Sequence, residues 1–178
     1  MDSQNHWDER YRKGGDSGYG SYGEQLNLKL RLIRNNIKDI KNIVDFGCGD
    51  FNFGLHVLGI FPDVYYFGID QSIEIIQRNS SLYKHSFQQN NRLIIGADLI
   101  LCVDVLLHIL NEKDEKNIID DLKKHWRKYL VISAFDHDGE SEPNGQAVMR
   151  RFPEELFGKP IVKELLEPNG MYFYIWKK

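Results

Sequence analysis

The chain has 178 residues, of which 42% are hydrophobic, and a formal net charge of −3. This length predicts one domain whose core is large enough to fold without disulfides or a metal. The mild acidity argues against nucleic acid as a partner, and no apolar run reaches the roughly 18 residues that a membrane span needs.

Helix-like and strand-like segments alternate along the chain, which predicts a mostly parallel sheet covered by helices on both faces. We expect helices at about 23–40, 52–58, 73–79 and 112–126, with Ser72 as an N-cap. The expected strands are 42–45, 64–69, 83–87, 98–103 and 129–133, followed by a loop at 136–145. Runs 161–167 and 171–176 flank Pro168-Asn169-Gly170, and Asn-Gly between two strand-like runs predicts an antiparallel hairpin.

The two cysteines, Cys48 and Cys102, lie in apolar strand-like segments, as is typical of small reduced core residues. The first residues are polar and lack the apolar stretch of a secretory signal. We therefore expect a cytoplasmic location and no membrane partner.

The first predicted strand runs into a glycine turn, with Asp45 at its end and Gly47 and Gly49 directly after it. Glycines at this spacing let a backbone pass close to a ligand, while the carboxylate repels phosphate and attracts a cation. A tight turn without a ligand explains the segment alone about as well.

This segment resembles the first motif of the class I S-adenosylmethionine-dependent methyltransferases, acid-x-Gly-x-Gly-x-Gly. Their methyl donor carries an ammonium and a sulfonium and no phosphate. The chain departs from the motif at Phe51, which stands where the third glycine is expected, and a phenyl ring there threatens to crowd the donor pocket.

Asp70 ends the second predicted strand, where a carboxylate can accept two hydrogen bonds from a ribose diol. Dinucleotide-binding oxidoreductases use the same device, so Asp70 by itself does not separate the two classes. An exposed turn residue is the other interpretation of this position.

The fourth predicted strand leads into Asp104 and then His108, and it resembles the fourth motif of small methyltransferases. Because ligands in such sheets bind at the carboxyl ends of the strands, we expect Asp104 beside Asp45 and Asp70. The resemblance implies that Cys102 and Val103 line the methionine part of the donor. His108 is a candidate base, and a partnered structural histidine is the equal alternative.

The N-terminal segment contains Trp7-Asp8-Glu9-Arg10-Tyr11 and a glycine-rich stretch from Gly14 to Gly23. It resembles the opening of a group of small bacterial methyltransferases, which implies a lid over the donor with Tyr11 among the donor-binding residues. Composition alone supports a flexible tail as well. We expect residues 1–23 to form this cover, without a core helix, and 24–178 to form the core.

The segment after the fifth strand carries His137, a second candidate base, and, beyond the predicted loop, the pair Arg150 and Arg151. An arginine pair beside a histidine suits an anionic acceptor such as a phosphate or carboxylate. Solvent-facing loop charges are the alternative.

Together these resemblances imply a Rossmann-like α/β fold with a mostly parallel seven-stranded sheet of order 3-2-1-4-5-7-6 and a terminal antiparallel hairpin. They imply S-adenosyl-L-methionine as the cofactor, no required metal, and a small-molecule acceptor such as a sugar, a nucleotide-linked group or a natural-product hydroxyl or amine. An NAD-binding oxidoreductase and a non-catalytic S-adenosylmethionine-binding subunit are the alternatives. The oligomeric state is left open by the sequence.

Overall fold

Seven strands form one sheet in a computed structural model, which describes residues 3–139, 147–167 and 170–178. The strands are β1 (Asn42–Phe46), β2 (Tyr65–Asp70), β3 (Ser86–Gln89), β4 (Ala97–Cys102), β5 (Trp126–Phe135), β6 (Val162–Glu167) and β7 (Met171–Lys177). Their order is β3-β2-β1-β4-β5-β7-β6; the first five run parallel and β7 pairs antiparallel with both β5 and β6. The predicted fold class and strand order are confirmed.

Five α-helices accompany the strands in the described part of the chain: α1 (Ser3–Arg12), α2 (Gly23–Asn36), α3 (Asn52–Ile60), α4 (Ile73–Leu82) and α5 (Glu112–His125). Short 3-10 helices occur at Tyr19–Ser21, Leu106–His108 and Glu154–Phe157. No helix in these ranges is long and apolar enough to cross a membrane.

The central strands are buried on both faces, as their continuous apolar sequences require. Every residue of β4 is buried, and alternate residues enter different core clusters. Leu99 and Leu101 join one cluster, while Ile100 and Cys102 join the other. This alternation fixes which side chains of β4 can reach a ligand beyond its carboxyl end.

Helix ends follow local capping chemistry. The Ser72 hydroxyl accepts a hydrogen bond from the Ile75 backbone N–H, so its predicted role as N-cap of α4 is confirmed. Helix α2 ends at Asn36, earlier than predicted, and Ile37 takes an extended conformation. Ile37 and Ile40 lie in the loop after α2 with their side chains buried in the core. Their spacing in the sequence matches that of a helix, which explains why a longer helix was predicted.

The N-terminal segment differs from the expectation, because residues Ser3–Arg12 form a helix that packs against α4. Tyr11 is buried in a small cluster with Cys48, Ile75 and Ile76, and Arg12 pairs with Glu74 on α4. The expectation that this segment adds nothing to the core was wrong for α1, since an aromatic side chain on it is buried. The division into a cover (1–23) and a core (24–178) stays a prediction.

Strands β6 and β7 form the predicted terminal hairpin. Two of its predicted turn residues, Pro168 and Asn169, lie outside the described residues. The same holds for most of the predicted loop at 136–145.

Candidate functional site

A cleft lies at the carboxyl ends of β1, β2 and β4, the edge of the sheet where ligands bind in open α/β folds. Eight of the residues predicted for the site line it: Tyr11, Asp45, Gly47, Gly49, Asp70, Val103, Asp104 and His108. The sheet order therefore gathers side chains that are far apart in sequence, as expected at this edge.

The glycine turn after β1 has backbone conformations that favour glycine, with φ of 77° at Gly47 and 50° at Gly49. A Cβ on Gly47 would overlap the Val105 side chain, and one on Gly49 would overlap the Ser17 hydroxyl. The Gly49 N–H donates to Asp70 Oδ2 at 3.0 Å, and Asn79 Nδ2 donates to the Gly49 carbonyl at 2.8 Å. The turn is thus held from two sides and brings its backbone against the cleft.

Phe51 occupies the third glycine position of the motif and has a φ of 67°. This conformation explains why glycine suits the position, and it costs a non-glycine residue about 1–3 kcal/mol. The phenyl ring is fully buried beside Tyr66 and Phe87, with ring centroids 4.9 and 5.2 Å away, and it does not line the cleft. The ring therefore leaves the space over the turn open.

Asp45 is a buried carboxyl at the floor of the cleft, and the Tyr66 hydroxyl donates to its Oδ2 at 2.6 Å. Burial raises the pKa of Asp45 to about 7; the hydrogen bond from Tyr66 opposes this rise and the nearby Asp70 adds to it. The hydrogen bond within the protein therefore does not fully compensate for the burial of the charged form of Asp45.

Asp70 is also buried, which contradicts its interpretation as an exposed turn residue. Its two oxygens accept hydrogen bonds from the backbone N–H groups of Gly49 and Ser72, at 3.0 and 2.9 Å. Burial raises the pKa of Asp70 to about 6; backbone hydrogen bonds from Ser72, Gly49 and Gln71 oppose this rise, and the nearby Asp8 adds to it. Each oxygen of the carboxylate retains lone-pair capacity for a ligand hydroxyl.

Asp104 lines the cleft, but its carboxylate is engaged by the protein. Oδ1 accepts from the Ser133 hydroxyl at 2.7 Å, and Oδ2 pairs with Lys29 Nζ at 2.5 Å. Lys29 has 1% of its side chain exposed and also donates to the Gly20 carbonyl at 2.9 Å. Asp104 therefore links the end of β4 to α2 and to the N-terminal segment.

The glycine-rich stretch before α2 docks on Asp50, the residue after the glycine turn. Asp50 Oδ2 accepts from the Ser17 N–H at 3.0 Å and from the Tyr22 hydroxyl at 2.7 Å, and the Asp50 N–H donates to Ser17 Oγ at 2.8 Å. Burial alone would raise the pKa of Asp50, but these hydrogen bonds and one from Asn52 lower it. Trp7, Tyr11, Ser17 and Ser21 of the N-terminal segment line the cleft.

The two histidines predicted as bases have different positions. His108 is half-buried and lines the cleft, where its ring meets that of Trp7 edge-on at a centroid distance of 5.0 Å. His137 is half-exposed beside Asp136, with Nδ1 2.9 Å from its carboxylate, and is not among the described residues that line the cleft. Of these two histidines, His108 is thus the one that a ligand in the cleft can contact.

Cys102, predicted to line the donor's methionine part, is not among the described residues that line the cleft. Its side chain lies in the core between β4 and α5, because strand alternation turns it away from Leu101. Val103 follows the strand and does line the cleft.

The arginine pair predicted for an anionic acceptor already has partners in the protein. Arg150 forms an ion pair with Glu115 and donates to the carbonyls of Ile109 and Leu110, which fixes the segment after His108. Arg151 pairs with Glu155 at 3.3 Å on the surface. Neither guanidinium is among the described cleft-lining residues.

Several contributors were missed in the sequence. Gln71, Asn90 and Asn91 follow β2 and β3 and line the cleft; their position directly after strands was an available signal. Lys29 occupies the buried face of α2 with Leu26 and Ile33, and a lysine at apolar helical spacing was a signal for a buried ion pair.

The sheet order, the terminal hairpin and the cleft over the first glycine turn are those of the class I S-adenosylmethionine-dependent methyltransferase fold, and solved structures of such enzymes share this architecture. The N-methyltransferase NodS from Bradyrhizobium japonicum WM9, solved with S-adenosyl-L-homocysteine, has a TM-score of 0.69 and 14% identity. The match covers 100% of this chain and 99% of NodS.

Another similar structure is the 1,6-didemethyltoxoflavin-N1-methyltransferase of Burkholderia thailandensis, with a TM-score of 0.66, 14% identity and coverage of 97% and 84% of the two chains. An O-methyltransferase family protein from the same organism has a TM-score of 0.62 and 11% identity over 86% of this chain. The chain spans about half the length of that protein and of two other similar structures, 56%, 55% and 53%. No protein-family model and no curated protein sequence matches the chain.

Proposed function

We propose that the protein is an S-adenosyl-L-methionine-dependent methyltransferase that acts on a small-molecule acceptor. One observation carries this proposal: two buried carboxylates, Asp45 and Asp70, meet at one glycine turn, and their hydrogen-bond donors in the described protein are neutral. Buried carboxylates bound only by neutral donors favour a ligand that brings a cation and hydroxyl groups. The methyl donor offers both.

The residues around the turn fit the parts of this donor. Asp45 suits the ammonium group, and Asp70 suits the ribose diol, because a carboxylate accepts two hydrogen bonds from neighbouring hydroxyls. Asn90 and Asn91 carry amides that offer both a donor and an acceptor to the edge of a purine. When bound, the donor supplies an electrophilic methyl group on its sulfonium.

His108 is the residue of this cleft best suited to take a proton from a hydroxyl or amine acceptor. It lines the cleft, imidazole is the most frequent general base in enzymes, and the edge contact with Trp7 restricts the ring. The N-terminal cover contributes by excluding water from the cleft, and Lys29 and Asp50 hold it there.

We propose an acceptor without a large negative charge. Arg150 and Arg151 are paired with Glu115 and Glu155, and apolar residues such as Trp7, Val105 and Ile109 line the cleft together with His108. NodS is an N-methyltransferase and the toxoflavin-pathway protein methylates 1,6-didemethyltoxoflavin at N1, and these similarities in fold support a small-molecule acceptor.

The alternatives fit less well. A dinucleotide would place its pyrophosphate at the first glycine turn, where the Asp45 carboxylate repels it. The non-catalytic alternative drew its support from Phe51, and the ring of Phe51 packs away from the cleft.

Calorimetric titration with S-adenosylhomocysteine and with NAD tests the proposal. We expect S-adenosylhomocysteine to bind to the wild type. Its binding free energy should be weaker in Asp70→Asn by about 1.5–3 kcal/mol, the usual loss for hydrogen bonds to a charged group. The matched control is Asp63→Asn, because Asp63 is exposed and lies just before β2 begins, at the end of the strand away from Asp70. This variant should bind S-adenosylhomocysteine like the wild type. Binding of NAD without binding of S-adenosylhomocysteine would reject the methyltransferase assignment.

A further inference from the structure

Tyr66 contacts the site without lining the cleft. On the sheet, Tyr66 lies beside Ile43 of β1, and Gly68 lies beside Asp45. The Tyr66 hydroxyl therefore reaches two residues along the neighbouring strand, about 7 Å, to donate to Asp45 Oδ2 at 2.6 Å. A Cβ on Gly68 would collide with Phe87 and Cys48, so this position of β2 lacks room for a side chain.

The Tyr66 ring is held in place by its neighbours. Phe51 packs against it with ring centroids 4.9 Å apart, and Phe87 lies at 6.1 Å. A Cβ on Gly54 of α3 would collide with the Tyr66 hydroxyl, so glycine at that position leaves room for it. The departure from the glycine motif at Phe51 thus forms one wall of the pocket that holds the phenol.

We propose that Tyr66 is a positioning residue for the methyl donor, whose hydroxyl holds Oδ2 of Asp45 and leaves Oδ1 to accept the donor's ammonium group. This inference rests on the proposed function. Tyr66 contacts neither donor nor acceptor and acts only through Asp45. Tyr66 differs from a residue that only packs, because its hydroxyl stabilises the negative charge of Asp45. A hydrogen bond to a carboxylate is stronger than one to a neutral carboxyl group.

The surroundings of Asp45 make this hydrogen bond consequential. Burial favours the neutral carboxyl, and Asp70 at the end of β2 adds repulsion. Burial also raises the pKa values of Cys48 in the turn and Cys102 on β4, so both remain neutral thiols. Asp104, after β4, is paired with Lys29. The hydrogen bond from Tyr66 is therefore the main interaction that lowers the pKa of Asp45.

The test compares Tyr66→Phe with Tyr65→Phe, a matched control because Tyr65 precedes it on β2 and is 84% exposed. Calorimetry measures S-adenosylhomocysteine affinity between pH 6 and pH 8.5. For Tyr66→Phe we expect about tenfold weaker binding at pH 7 than for the wild type. The pH at which affinity is half its maximum should be higher in the variant, and the difference in affinity between the two proteins should be smaller at pH 8.5. Tyr65→Phe should match the wild type, and Asp45→Asn should bind weakly with little response to pH.

The proposal is overturned if the pH of half-maximal affinity is the same in Tyr66→Phe as in the wild type. This holds both for a variant with normal affinity and for one whose affinity is reduced by the same factor at every pH. A second measurement is independent of the donor: the carbon-13 NMR titration of the Asp45 carboxyl in the ligand-free protein. We expect its pKa to rise in Tyr66→Phe, and an unchanged pKa overturns the Tyr66 role. If the wild type binds no S-adenosylhomocysteine while the carboxyl titration shifts as expected, the proposed function fails and the Tyr66–Asp45 interaction stands.

Discussion

Replacing Asp45 with asparagine separates the stability of the protein from its binding of the donor. Asparagine has nearly the shape of aspartate and keeps an oxygen that can accept the Tyr66 hydrogen bond. The substitution removes a buried negative charge whose described hydrogen-bond donor is a neutral phenol. We therefore expect Asp45→Asn to stabilise the ligand-free protein at pH 8 and to weaken donor binding.

The magnitude follows from the pKa of Asp45. The carboxyl titrates at about 7 in the folded protein and at about 3.9 in an unfolded chain, a difference of about three pKa units. At about 1.36 kcal/mol per unit, the upper limit of the destabilisation at pH 8 is about 4 kcal/mol. Because the asparagine amide N–H groups also require partners, we expect a gain of about 1–2 kcal/mol.

The pH dependence gives the sign. Between the two pKa values the folded protein keeps the proton and the unfolded chain has released it, so wild-type stability falls as pH rises toward 7. Between pH 5 and pH 8 this effect lowers wild-type stability by roughly 2–3 kcal/mol, so the gain of Asp45→Asn at pH 8 should be absent at pH 5, where the variant should be about 1 kcal/mol less stable than the wild type.

Urea unfolding at pH 5 and pH 8 measures this difference, with Asp63→Asn as the exposed control. At pH 8 the melting temperature of Asp45→Asn should rise by about 2–8 °C. Titration with S-adenosylhomocysteine should show a loss of about 1.5–3 kcal/mol. A variant that is less stable than the wild type by the same amount at both pH values would refute the reasoning, because the charge would then not be the cause.

Three other predictions concern the cover and the base. His108→Ala should lower turnover at least tenfold with nearly unchanged donor affinity, and should remove the acid limb of the pH–rate profile, whereas His137→Ala should behave like the wild type. Lys29→Met should lower the free energy of unfolding by about 2–3 kcal/mol in urea titrations, because it leaves a partly buried carboxylate unpaired. Ser17→Ala should speed donor dissociation in stopped-flow measurements by up to about tenfold, since it removes the hydroxyl that accepts from the Asp50 N–H; an unchanged dissociation rate would show that the cover does not limit exchange.

The fold was predictable where the sequence pattern is local and the burial is complete. Strands β1, β4 and β5 are continuous apolar runs, and an Asn-Gly pair marks the final hairpin. Helix α1 was missed because its sequence is polar and its stability comes from α4. Contacts of Asp8 with Ser72 and of Arg12 with Glu74 join residues distant in sequence, so no local pattern reports them.

The candidate site divides in the same way. Asp45 and Asp70 were found because an acid at the end of a buried strand is visible in the sequence. Tyr66 and Lys29 were not found, because their contacts are with residues of other segments, Asp45 and Asp104. Their roles depend on strand register and helix packing, which a single sequence does not specify.

The two buried carboxylates of the cleft, Asp45 and Asp70, differ in the hydrogen-bond donors that the protein gives them. Asp70 accepts hydrogen bonds from backbone N–H groups, whereas Asp45 accepts one from the phenol of Tyr66, and burial raises the pKa of both carboxyls. In the proposed function, Asp70 offers the ribose hydroxyls a carboxylate that backbone N–H groups already hold in place. In the same proposal, a cation that joins Asp45 favours its ionised form, so we expect the pH sensitivity of donor binding near neutrality to come mainly from Asp45.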